Sequence, residues 1–88
     1  MSRARVYSDD TVAIMERFFN AFDICKRLKL LKSVTDFCNE NGIDKPHFYT
    51  QRKNLGRGFF EVGWLVPLVK CGVSSDWLLT GRGNMFPQ

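Results

Sequence analysis

Residues 33–54 read SVTDFCNENGIDKPHFYTQRKN. Ser33 is an N-cap residue and Asp36 follows three positions later, close to a capping box. Val34, Phe37 and Cys38 give the helix that follows an inward face, and Gly42 supplies a left-handed C′ residue that ends it. Asp44 then caps a second short helix, with Pro46 in its first turn, where a missing N–H costs little. That helix, roughly Lys45 to Lys53, has Phe48 as its apolar anchor among His47, Tyr49, Thr50, Gln51, Arg52 and Lys53. Two short helices joined by so tight a turn must cross steeply at close range. Close approach needs a small residue, here Cys38. A sharp turn needs Gly42, and anchoring on both sides needs Phe37, Ile43 and Phe48. With Phe48 inward, the 100° step per residue sends Pro46, Thr50 and Lys53 to the solvent face, flanked by His47 and Tyr49. This is the layout of a helix-turn-helix.

On the N-terminal side, Ser8, Asp9 and Asp10 mark a helix start, and apolar residues follow at helical spacing: Val12, Met15, Phe18/Phe19, Phe22, Cys25, Leu28 and Leu31. The pattern predicts one long helix from about Asp9 to Leu31, with Lys26, Arg27, Lys29 and Lys32 complementing its C-terminal dipole. Phe18, Phe19 and Phe22 make a stripe broader than one small core needs, which predicts a face for a second subunit. On the C-terminal side, NLGRG (Asn54 to Gly58) reads as a loop. An apolar fourth helix is predicted over about Phe60 to Cys71, kinked or started late near Val66 because of Pro67. Ser74 caps a last helix, Ser75 to Thr80, closed by Gly81. No strand pair and no repeat is expected. The organisation is an all-α, five-helix domain over residues 9–83, a basic N-terminal arm over 1–8 and a C-terminal tail over 84–88.

Lys and Arg number 13 against 9 Asp and Glu, a formal charge of +4 on 88 residues with a pI near 9.2. That surplus fits a nucleic-acid surface or an anionic membrane surface. No apolar run is long enough to span a bilayer, and the N-terminus has no signal-peptide core. Cys25, Cys38 and Cys71 are odd in number and widely spaced, so neither a disulfide framework nor a zinc site is expected. A reduced, cytoplasmic chain without metal or cofactor follows. His47 is the only histidine and has no acid–base partner legible in the sequence, so the reading is of a protein that is not an enzyme. A basic helix face with no carboxylate, carrying Lys45, His47, Thr50 and Lys53, suits the major groove of duplex DNA.

The closing stretch GVSSDWLLTGRG, residues 72–83, is similar to the GVS-x-DWLLTG-x-G ending of the phage CI-repressor helix-turn-helix family. Taken with residues 33–54, the chain resembles the lambda-repressor-like (Cro/phage CI-repressor type) DNA-binding domains over roughly Phe22 to Met85. The resemblance implies a five-helix bundle with the helix-turn-helix formed by helices 2 and 3, and a last helix packing its Trp and Leu residues beneath it. The implied function is a sequence-specific double-stranded DNA-binding transcriptional regulator, a repressor of phage or bacterial type, nucleoid-associated and acting as a homodimer. Lys45, Pro46, His47 and Thr50 are then expected at base edges. Ser33, with Val34, is expected near a phosphate or the groove edge, and Tyr49, Arg52, Lys53 and Arg57 at phosphates. Arg3 and Arg5 are expected to form a flexible arm that reaches a minor groove. Asn41 and Gln51 stand where the family usually has apolar residues. Either the third helix is more weakly attached, or Tyr49, Arg52 and Leu55 take over its packing. The first helix is longer than the family usually needs. Repressors of the family often carry a further oligomerisation domain, which is not expected in a chain ending soon after Gly83. The alternative is a protein-interaction module or antitoxin-like partner using the same fold, which the aromatic stripe of the first helix favours.

Overall fold

The computed structural model describes residues 5–87 and builds them from five α-helices and one two-stranded antiparallel ribbon. Helix α1, Asp9–Arg27, begins where Ser8 accepts a hydrogen bond from the Thr11 amide. It ends before the predicted Leu31. Lys29 adopts a left-handed conformation (φ 64°), its amide donates to the Lys26 carbonyl at 3.1 Å, and the Leu30 amide donates to that of Cys25 at 2.9 Å. This is a Schellman closure with lysine in the glycine position. The apolar spacing continues past the stop, which is why the sequence predicts a longer helix.

Helix α2, Val34–Asn41, is capped by Ser33 on the Asp36 amide at 3.1 Å and closed by Gly42 in the left-handed region. Helix α3, Lys45–Lys53, starts after Gly42–Asp44, with Asp44 accepting from the His47 amide at 3.2 Å. The predicted fourth helix is shorter than expected. A 3₁₀ turn, Val62–Leu65, leads into α4, Val66–Lys70, with Pro67 in its first turn. Helix α5, Ser75–Thr80, is capped by Ser74 and closed by Gly81. The ribbon was not expected. Strand β1, Arg5–Val6, pairs with β2, Arg57–Gly58, with Arg5 opposite Gly58 and Val6 opposite Arg57. Two residues a side are too few to show an alternating pattern in the sequence.

The core is aromatic and centred on Phe18. Its ring meets those of Phe19, Phe22, Phe37, Phe48, Phe60 and Trp64, at centroid separations from 5.0 to 6.4 Å. Such pairs add to the area term when they meet edge to face or tilted. Phe18, Phe19 and Phe22 are all buried within this single chain, which corrects their expected role as a dimer face. The small helices α2, α3 and α4 are too short to supply a core themselves, so α1 provides it for all of them.

The last helix also differs from expectation. Its main packing is against α1 rather than beneath α2 and α3. Leu78 is fully buried, and Arg17 on α1 donates to the carbonyls of Leu78 (2.8 Å) and Leu79 (3.2 Å). These are unpaired groups of a helix C-terminus, where a cation is also favoured by the helix dipole. The segment beyond Gly83 is attached to the body: Met85 and Phe86 pack on the core, and the Met85 carbonyl accepts from the Ser74 amide at 2.7 Å.

Candidate nucleic-acid interface

Helix α3 is held by two fully buried side chains one turn apart, Phe48 and Gln51. Their burial fixes the rotation of the helix and exposes Pro46, Tyr49, Thr50 and Lys53 on its far side. Tyr49 is 45% exposed, with its ring edge-on to Phe48 at 6.0 Å. It does not take over the packing of the helix. α3 contains no carboxylate, and its three cations are Lys45, Arg52 and Lys53.

The flanking candidates have partners of their own. Lys45 Nζ donates to Thr35 Oγ1 on α2 at 3.0 Å, which ties the start of α3 to its neighbour. His47 stacks on Phe59 with ring centroids 3.9 Å apart and planes 13° apart, and its Nδ1 lies 3.5 Å from an Asp44 carboxylate oxygen. One ring face is thus covered, and the side chain is still 42% exposed. Arg52 is committed elsewhere. It forms an ion pair with Asp23 of α1, with both carboxylate oxygens within hydrogen-bonding distance, and its guanidinium lies 5.6 Å from the centroid of the Phe19 ring. It is a brace between helices, so a phosphate contact by Arg52 would have to compete with Asp23. The Ser33 hydroxyl serves as the α2 cap, accepting from the Asp36 amide. Val34, beside it, is buried.

Arg5 is not in a free arm. It lies in β1, and its guanidinium donates to the Phe60 carbonyl at 3.2 Å, an oxygen that also accepts from the Tyr7 hydroxyl at 3.0 Å. Burial raises the Tyr7 pKa, against the opposing influence of Arg5. Arg3 lies outside the described residues. Arg57, in β2, is exposed. Among the described residues the carboxylates within 4 Å of a cationic or imidazole nitrogen are Asp23, paired with Arg52, and Asp44, beside His47, so Lys45, Lys53 and Arg57 have no carboxylate partner there.

The residue whose role the sequence does not disclose is Gln51. Its Oε1 accepts from the amides of Phe59 (2.8 Å) and Phe60 (3.0 Å), and its Nε2 donates to the carbonyls of Asn54 (3.0 Å) and Arg57 (3.4 Å). The side chain therefore does for the 54–60 segment what a strand partner would do. Gly58 makes room for it, since a Cβ at that position would lie 2.8 Å from Gln51 Cδ and closer still to Oε1. Asn41, the other polar residue at an expected apolar position, donates back to the Phe37 carbonyl at 2.8 Å and stays on the surface.

Cys25 and Cys38 are buried, whereas Cys71 is partly exposed. Burial pushes up the thiol pKa of Cys25, with a smaller push from Cys71, and burial likewise raises Cys38 despite the nearby Lys45. Among the described residues no group of three His, Cys, Asp or Glu side chains lies together as metal ligands would. No helix of those residues is long and apolar enough to cross a membrane. Apolar side chains remain exposed away from α3, where Val62, Val66, Val69 and Leu79 border an open groove of about 260 Å³ between α4 and α5. Comparisons with protein-family models, curated proteins and solved structures return no match.

Proposed function

We propose that this protein is a sequence-specific double-stranded DNA-binding regulator of the lambda-repressor-like type, with α2 and α3 as its helix-turn-helix and α3 as the helix that enters the major groove. The observation that carries the reading is the outward face of α3. Phe48 and Gln51 turn inward, and the opposite side presents Pro46, Thr50, Tyr49 and Lys53 with no carboxylate among them. Lys45 and His47 flank that face at its N-terminal end. In the proposed complex Lys45 exchanges its bond to Thr35 for guanine O6 or N7. His47 and Thr50 meet base edges, and Pro46 makes apolar contact. Tyr49, Lys53 and Arg57 hold phosphates, and Ser33 lies at the groove edge. Mechanism on this reading is occupancy: the protein represses by covering a promoter, without catalysis and without metal or cofactor.

A homodimer would set two copies of α3 in successive major grooves, about 34 Å apart. Since Phe18, Phe19 and Phe22 are internal, a second copy would have to meet another surface, and the exposed apolar side chains around α4 and α5 offer one. The same burial removes the feature that favoured a protein-interaction module.

The test is selection from a random pool of duplex DNA at near-physiological salt. The expected result is an enriched inverted repeat with half-site centres about 10 base pairs apart. The combined substitution of Lys45, His47 and Thr50 by Ala should abolish enrichment while leaving the helical spectrum intact. No enrichment by the unsubstituted protein, or unchanged affinity in the triple variant, refutes the assignment.

A further inference from the structure

The segment after α3 is fastened from two sides. From within, Gln51 takes four backbone groups of residues 54–60 on one amide. From outside, β1 pairs with Arg57 and Gly58, the Tyr7 amide donates to the Gly56 carbonyl at 3.0 Å, and the Arg5 and Tyr7 side chains both end on the Phe60 carbonyl. Leu55 and Phe60 tie the two sides of this segment to the core, but the stretch between them, Gly56 to Gly58, has no apolar side chain to hold it. Here its backbone is fixed while Arg57 remains exposed and without a carboxylate partner among the described residues.

We propose that Gln51 is a positioning residue for DNA binding. Seated against Gly58 and backed by β1, its buried amide holds the 54–60 segment so that Arg57 is presented beside α3 to a phosphate of the same DNA duplex. The proposal rests on the DNA-binding reading above and extends it. The N-terminal strand acts as a brace on this segment, and a cation on a fixed backbone meets a phosphate with less ordering left to do on binding. The device links groove entry to backbone contact, because the side chain that locks the rotation of α3 also sets the place of Arg57.

The first measurement needs no DNA. In the unsubstituted protein, hydrogen exchange at the Phe59 and Phe60 amides should be slowed to a degree approaching that of α1. In Gln51→Leu those two amides should exchange faster while the middle of α1 does not. Open-loop exchange at Phe59 and Phe60 in the unsubstituted protein overturns the clamp, and so does unchanged exchange in the variant.

The second measurement is affinity for the selected duplex across a salt series. Arg57→Ala, an exposed substitution, should weaken binding about tenfold and lower the slope of log affinity against log salt by about one. Gln51→Leu should reproduce most of both effects, and adding Arg57→Ala to it should weaken binding by less than about threefold further. A merely destabilised protein would lose active fraction without changing the salt slope. Full additivity of the two substitutions, or an unchanged slope in either, overturns the role assigned to Gln51 and Arg57. Absence of any duplex binding by the unsubstituted protein, with the exchange result as expected, overturns the DNA-binding reading instead and leaves the clamp standing.

Discussion

Replacing Gln51 by Leu introduces the apolar residue that the proposed helix-turn-helix reading would expect there, yet the structure predicts that it destabilises the protein. The side chain is completely buried and all of its hydrogen-bonding capacity is directed at backbone. On truncation to Leu, the carbonyls of exposed Asn54 and Arg57 turn to water at little cost. The Phe60 amide is different, because its bond to Oε1 is buried, and an unpaired buried donor costs about 1–3 kcal/mol. The half-buried Phe59 amide adds about 1 kcal/mol, and the extra apolar burial of Leu returns about the same amount. The net is a loss of about 2 kcal/mol, against a total of about 4–13 kcal/mol for a chain of this size. The variant therefore remains folded at 25 °C. Its thermal midpoint should fall by about 8–16 °C, and its urea midpoint should fall with an unchanged slope. A Gln51→Leu variant at least as stable as the parent would refute the reasoning, because it would mean that water or loop relaxation satisfies the Phe60 amide without the side chain.

Gly58→Ala should cost about 1–3 kcal/mol by urea unfolding, through overlap with the Gln51 amide added to the strain of a side chain at φ 157°; a Gln51→Ala background should relieve the overlap and leave the strain, and an equal cost in both backgrounds would refute the contact. Arg17→Ala should lower stability by about 1–2 kcal/mol and raise hydrogen exchange in α5 before α2, since its guanidinium holds the last α5 carbonyls. Cys25, Cys38 and Tyr7 all have folded-state pKa values raised by burial. The folded state thus keeps these protons longer than the unfolded chain. Their contribution is present in full below the unfolded-state thiol value, about 8.5, and is lost as pH rises through the folded values. Urea midpoints measured from pH 7 to 10.5 should be level first and then fall; a rise above pH 9 contradicts the assignment. Thiol labelling under native conditions should find Cys71 reacting first, with Cys25 and Cys38 following only as the protein opens.

Much of the helical framework is legible in the chain because it is written in local chemistry. Ser8, Ser33, Asp44 and Ser74 each cap the helix that the sequence assigns to them, and Gly42 and Gly81 each close one. These signals act over a single turn, so no tertiary knowledge is needed to read them. The end of α1 escapes for the same local reason in reverse. Lysine at position 29 adopts a conformation that only glycine announces, while the apolar spacing runs on. The rotation of α3 is half legible. Phe48 declares itself as an anchor, whereas Gln51 is polar and its burial depends on the 54–60 segment arriving to meet it.

The sequence by itself determined which segments are helical, where most of them begin, and that α3 is basic and free of carboxylates along its length, because propensity, capping and residue charge are properties of short stretches. Tertiary structure alone decided which surfaces those helices keep. The aromatic stripe of α1 could equally have met a second chain, and it is internal because α2, α3 and α4 are each too short to form a core without it. Arg5 and Arg52, cations fit for phosphate by their chemistry, are committed to Phe60 and Asp23, partners 55 and 29 residues away in the chain. Whether a charged or polar side chain faces solvent, braces a neighbour or replaces a strand is set by long-range packing, and no window of local sequence contains that information.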